Sequence, residues 1–323
     1  MFCLSSWLGD LKPRNRKFFT AKVQKVYLCR KIHSRMKDNL FTESLRHSVG
    51  YRIFLYLVIL LICTLVGGLV SFLMVIGNND NLLKLGQGIS SALMFIVPPI
   101  VFYLITRRVK PLQNLGFRSV QPFWLLFIGI LLMFVSLPIT NQLSTWNESM
   151  HLGLPKLEDW LQNMEKAATE VTERMLRVNT IGGLLFNLLI IALIPAIGEE
   201  LTFRGVVQQA LVKGCKNVHV GVILSAAIFS FIHFQFYGFL PRMFLGMLLG
   251  YMFYITGSLW MSILMHFVNN GSVVLIYYLN NKGITNVDAE HFGSVESVGL
   301  VIASLVVTVI LIVWSWRKSK SIL

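Results

Sequence analysis

Leu184-Leu185-Phe186-Asn187-Leu188-Leu189-Ile190-Ile191-Ala192-Leu193-Ile194 runs without a charge into Gly198-Glu199-Glu200-Leu201-Thr202-Phe203-Arg204, and Val206-Val207-Gln208-Gln209-Ala210-Leu211 follows. Two adjacent carboxylates and a guanidinium therefore sit inside or at the edge of a membrane-embedded helix. A charge at the bilayer centre costs at least ~2.5–3.5 kcal/mol on lenient insertion scales, which marks an intramembrane ionisable group as a functional-site candidate. The blander alternative is a boundary cluster whose side chains snorkel to the headgroups.

Helix geometry sorts the three charges. Glu200 and Arg204 are four residues apart, share a face and can shield one another as an i,i+4 pair. Glu199 points about 100° away at ~3.6 residues per turn. It is left to face a water, a metal or a substrate.

Composition agrees with a membrane protein. The 323 residues are 55% hydrophobic and only 14% charged, with a mean hydropathy of +0.66. The reading is an all-α fold, a polytopic transmembrane helical bundle of about eight spans. These begin at Tyr51, near Ile89, near Phe123, at Ile181, at Val218, at Phe239, at Ser258 and at Val298. Pro98-Pro99 should kink the second. The fourth should continue as one helix through the Glu-Glu cluster to about Val212, and the fifth should reach about Phe236. Between spans 3 and 4, Leu157, Trp160, Leu161, Met164, Ala168, Val171 and Met175 recur at three- and four-residue steps. That is an amphipathic extramembrane helix, lying on the membrane surface or acting as a lid over a site.

The formal net charge of +14 has a local source. Residues 1–35 hold nine Lys and Arg against the single Asp10. A tail of this kind reads as a cytoplasmic segment drawn to anionic lipid, so membrane lipid rather than nucleic acid is the expected partner. Met36-Lys37-Asp38-Asn39 also looks like an ordinary start, which would make 1–35 a start-site extension. The expected organisation is a basic N-terminal segment over 1–50, a membrane domain over 51–316 with its catalytic core at 180–280, and a basic tail over 317–323. Cations flanking the first span, in the 107–118 and 213–216 loops and at Arg317 to Lys320 place both termini in the cytoplasm of a cell-membrane protein. Cys3, Cys29, Cys63 and Cys215 form neither a disulfide framework nor a thiolate zinc pattern.

Two further spans carry buried polar groups. His233 sits in Ala227-Ile228-Phe229-Ser230-Phe231-Ile232-His233-Phe234, where a lone imidazole can be purely structural. His266 precedes Asn270 by one turn on the same helix face. Together, a carboxylate, two imidazoles and an amide are a kit for activating water: Glu199 as base, the histidines as positioning groups, Asn270 as a hydrogen-bond donor to an oxyanion. Two imidazoles and a carboxylate are also a zinc ligand set with an open position, so zinc held by Glu199, His233 and His266 is one option. HExxH, GxSG and GxGD patterns are absent. Counted from the presumed cytoplasmic ends at ~1.5 Å per residue, His233 comes out deeper than Glu199 and His266, a mismatch that tilt, a kink or a cytoplasmic extension of the fifth span would remove.

Glu199-Glu200-xxx-Arg204, Phe229-xxx-His233 and His266-xxx-Asn270 resemble, in order and spacing, the three motifs of the CAAX-processing and bacteriocin-processing (CPBP, or Abi) family of intramembrane peptidases. The resemblance is close over about 180–280. It implies Glu199 as the water-activating base, Glu200 and Arg204 as groups that shape the site, His233 and His266 as holders of the water or a metal, and Asn270 as oxyanion stabiliser. It implies an endopeptidase of glutamic or metallo type, similar to CAAX prenyl protease type 2, acting on a peptide or protein substrate that in some members is lipidated. Two other classes stay open: a non-catalytic immunity or scaffold protein of the same fold, and an ion-coupled transporter using the same buried charges.

Overall fold

The computed structural model describes residues 49–76, 79–106, 114–289 and 292–320. The chain divides into two compact units, Met1–Leu55 and Tyr56–Leu323. Of the first, the described part is the opening of helix α1 (Val49–Val75). The basic segment 1–35, the loop cations Arg107, Arg108 and Lys110, and residues 321–323 lie outside the described residues.

The second unit is helical, with no strand among the described residues. After α1 come α2 (Asp80–Thr106), α3 (Trp124–Val135), α4 (Leu137–Glu148), α5 (Pro155–Leu176), α6 (Ile181–Cys215), α7 (Val218–Phe231), α8 (Phe239–Thr256), α9 (Leu259–Asn281) and α10 (Val298–Lys320). Six helices are long and apolar enough to cross a membrane, and seven if the pair α3–α4, bent by 41°, counts as one crossing. The apolar α7 is shorter than a full crossing and occupies the place of the expected fifth span. The eight expected spans thus each correspond to one of these elements.

Two boundaries differ from expectation. Helix α2 starts about two and a half turns before Ile89, because Asn79 accepts from the Asn81 and Leu82 amides at 2.9 and 3.3 Å and Asp80 complements the first turn. Its first turns are polar, so an apolar count misses them. Pro98-Pro99, expected to kink the span, lie just after a π-helical segment, Ala92–Ile96, and the helix runs through them as one span. Helix α7 stops at Phe231 rather than Phe236, and Phe234 takes the left-handed conformation at φ 52°. His233 accordingly lies in the turn after the span and not inside it.

Helix α6 is continuous through the Glu-Glu cluster as expected, and contains two π segments, Leu188–Leu193 and Phe203–Gln208. It extends past Val212 to Cys215, where Lys216 at φ 52° reverses the chain. Gly221 makes the α6–α7 hairpin tight: a Cβ there would lie 2.5–2.7 Å from Val212, partly from its backbone. Gly205, farther back on α6, packs on Leu115 and Leu259 at the α8–α9 turn, where the Leu259 amide donates to the Gly116 carbonyl at 2.8 Å. The hairpin therefore projects beyond that turn.

A core of Leu125, Leu132 and Met133 from α3, Leu248, Leu249 and Met252 from α8, and Met261 and Met265 from α9 is buried. It holds the α9 face next to His266. The outer faces of α1 and α10 leave large apolar side chains exposed, as lipid-facing helices do. Helix α5 is amphipathic as expected, but only Met175 and Leu176 at its end are buried, and Trp160 remains 55% exposed.

Candidate active site

The α6 cluster is organised around Glu200. Glu200 Oε1 accepts from Arg204 Nη1 and from His266 Nδ1, each at 2.8 Å. All three residues are at most 3% exposed. The i,i+4 pair with Arg204 is the one that helix geometry predicts; the bridge to His266 on α9 is not readable from either helix alone. A carboxylate only accepts, so His266 carries a proton on Nδ1. Its Nε2 lies 3.7 Å from Glu199 Oε2. The distance is beyond a direct hydrogen bond, and one oxygen atom can reach both groups.

Arg204 is held from a third helix. Its Nη2 donates to the Gly246 carbonyl at 2.8 Å, and its guanidinium carbon lies 5.1 Å from the Phe229 ring centre. A Cβ at Gly246 would meet Ala226 and Phe229 at 3.1–3.3 Å, so the glycine lets α8 approach closely. One turn on, Gly250 repeats the arrangement with its carbonyl accepting from Gln208 Nε2 at 2.9 Å. A buried pair left without such additional hydrogen bonds would be costly.

His233 joins from the turn after α7. Its Nδ1 donates to the Phe229 carbonyl at 2.8 Å, leaving Nε2 as the lone pair. The Phe229 ring stands edge-on between the imidazoles, 5.1 Å from His233 and 6.0 Å from His266. The motif phenylalanine is thus a spacer between the histidines. The depth mismatch is resolved by the projecting hairpin. Measured from Gly205 and Leu259, which are level, Glu199 and His266 stand six and seven residues along their helices, and α7, whose Gly221 packs on Val212, spends about its first two to three turns outside that level.

Glu199 and His233 line a cavity of about 290 Å³. One wall is α6, through Ile190, Ile191 and Pro195; the other is α2. Thr172 and Met175 of α5 close it, which accords with the lid alternative for that helix. The lid end is held by Asn187 Nδ2 to the Met175 carbonyl, Asn281 Nδ2 to the Leu176 carbonyl, both at 2.9 Å, and Arg174 to Asp80 at 2.6 Å. Neither His266 nor Asn270 lines the cavity. Asn270 is half-buried, with its Oδ1 accepting from Asn269 Nδ2 at 3.1 Å.

Among the described residues no three His, Cys, Asp or Glu side chains form a group able to hold a metal ion. Glu199, His233 and His266, the ligands of the zinc option, are not among such a group. Both Nδ1 atoms are already engaged.

Sequence reading missed the α2 wall and Arg242. The latter's Nη2 donates to Gln235 Oε1 at 2.7 Å, and its charge acts on Glu199, on His233 and on Glu165 of the lid. Arg242 is a cation at the start of an apolar helix, so the cost argument applied to Glu199 would have found it. Burial pushes the Glu165 carboxyl up, while the Tyr237 amide, donating at 3.3 Å, and Arg242 draw it down.

Residues 181–272 match the family described as Rce1-like, type II CAAX prenyl endopeptidase. This span contains Glu199, Glu200, Arg204, His233, His266 and Asn270. It bears out the resemblance to the CAAX-processing family. No curated protein and no solved structure matches the chain.

Proposed function

We propose, from the match of residues 181–272 to the Rce1-like family, that this multi-pass helical protein is an intramembrane endopeptidase whose base is Glu199. The observation that supports this most is the 3.7 Å approach of Glu199 Oε2 to His266 Nε2 at the edge of a cavity, with His266 oriented from behind by Glu200. A water held between those two atoms gives its proton to Glu199 as its oxygen bonds to the scissile carbonyl carbon. The C–N bond then breaks, and Glu199 returns the proton to the leaving amine. Glu200 and Arg204 neutralise one another and hold a proton on His266 Nδ1. Asn270, which does not line the cavity, is assigned the oxyanion from the family resemblance, with its Nδ2 not engaged by Asn269. His233 presents Nε2 to the cavity as an acceptor for substrate or water. No step uses a metal.

The substrate is a peptide or protein within reach of the membrane. The test compares membranes holding equal amounts of wild type and Glu199→Gln, by mass spectrometry of newly generated peptide termini. Termini that depend on Glu199 are expected. Their absence, with both proteins folded, would move the assignment to a non-catalytic membrane factor.

A further inference from the structure

Helix α2 lies outside the 181–272 family match, yet it supplies one whole wall of the cavity. Gln87, Ser90, Ser91, Met94 and Phe95 fall at i, i+3, i+4, i+7 and i+8, one continuous helix face, and all five line the cavity with Glu199. The upper part of that face is polar inside a helix long and apolar enough to cross a membrane.

Polar side chains in such helices ordinarily satisfy themselves on the preceding turn. Here Thr106 donates to Phe102, Thr140 to Ser136, Thr172 to Ala168, Thr256 to Met252 and Ser272 to Val268. Gln87, Ser90 and Ser91 make no such bond with any described residue. Three neighbouring side chains with donor and acceptor capacity therefore line the cavity, Gln87 exposed and Ser90 and Ser91 half-buried, with Ser90 Oγ also close to Gly67 of α1. The α6 wall opposite is apolar at Ile190, Ile191 and Pro195.

Resting on the peptidase reading above, we propose that Gln87, Ser90 and Ser91 are substrate-positioning residues that hydrogen-bond the backbone of an extended, apolar peptide segment while its side chains pack on Ile190 and Ile191. A helical segment keeps its peptide groups paired internally and offers nothing to these three side chains. An extended strand exposes one donor and one acceptor per residue, and a carboxamide such as Gln87 can meet both. Registration along α2 would then decide which peptide bond stands in front of Glu199. The side-chain preference follows from the apolar wall.

The experiment uses full-length protein in membranes, with wild type, Glu199→Gln and the triple variant Gln87→Leu/Ser90→Ala/Ser91→Ala at equal abundance. Peptide termini are quantified by mass spectrometry, and thermal unfolding in detergent checks the fold. Glu199-dependent termini should fall by about tenfold or more in the triple variant, as expected for losing several net hydrogen bonds of about 1 kcal/mol each. Ser90→Thr/Ser91→Thr, which keeps both hydroxyls, should stay within about twofold of wild type, since each donor and acceptor persists. On a synthetic peptide spanning a mapped cleavage site, the triple variant should raise KM or lower kcat/KM without shifting the pH profile, since Glu199 and His266 are untouched.

An unchanged set and yield of termini in a folded triple variant overturns the proposal. If the triple variant unfolds, Ser91→Ala alone carries the test, with a loss of about threefold or more expected and none overturning it. If no terminus depends on Glu199, the peptidase reading itself fails, and the proposal falls with it by a separate and recognisable result.

Discussion

Glu199 and Glu200 are adjacent in sequence and both buried, and their partners give them different work. Glu200 is committed: Arg204 and His266 both donate to one of its oxygens. Glu199 makes no hydrogen bond with a described residue; it has His266 Nε2 at 3.7 Å, the charge of Arg242 and an open cavity face. Glu200→Gln should therefore remove an anion that two buried cationic or donor groups require, destabilising the fold by about 3–5 kcal/mol as other broken buried pairs do. Glu199→Gln should leave thermal unfolding in detergent close to wild type while cleavage falls by ~10²–10⁴-fold, the range for losing a general base. Equal stability losses in both variants would contradict this division. The division was half legible in the sequence. The i,i+4 pairing of Glu200 with Arg204 follows from helix periodicity, and so does the different direction of Glu199. The Glu200–His266 bridge depends on how α6 and α9 pack, which no periodicity encodes. Arg242 was readable and overlooked, because it stands among helix-starting residues where a cation looks like a boundary.

At the scale of elements, the apolar spans were legible because lipid selects for them directly, whereas capping and termination were not. Asn79 adds polar turns to α2, and the Phe234 turn shortens α7, through local hydrogen bonds that hydropathy ignores. The projecting α6–α7 hairpin is the feature that brings His233 level with Glu199. Gly221→Ala should spread that hairpin, since its Cβ meets Val212 backbone atoms at 2.7 Å, and should cost about 1–3 kcal/mol by thermal unfolding in detergent. A melting temperature equal to wild type would show that the hairpin yields freely. The start of α5 depends on Glu158, whose carboxylate accepts from the Leu152 and Gly153 amides at 2.6 and 2.9 Å and is held below its usual range, mainly by the Leu152 bond. An acid with a depressed folded-state pKa stabilises above its ordinary value of about 4.5 and loses that contribution as pH falls through the depressed value. Amide protection at Leu152 and Gly153 should accordingly persist at pH 6 and decline in acid, and Glu158→Ala should remove it at every pH.

For the whole molecule, the arrangement across the bilayer is an expectation drawn from charge, and the free, exposed Cys215 at the hairpin tip offers a direct reading of it. In a variant with the other three cysteines replaced by serine, a membrane-impermeant maleimide should label Cys215 from the cytoplasmic side only. A cysteine placed instead at Gly153, in the loop before α5, should be labelled from the opposite side only. Labelling of both from one side would contradict the expected topology.

The two walls of the cavity have different standing within the chain. The α6 wall carries Glu199, the proposed base, and lies in the stretch that matches the Rce1-like family, whereas the α2 wall lies outside that match. Reactivity and preference can then change independently over evolutionary time. A relative could keep every motif residue and still recognise another polypeptide after exchanging one face of one helix. Grafting residues 80–106 between two such proteins would then transplant the choice of cleavage site and leave the chemistry behind.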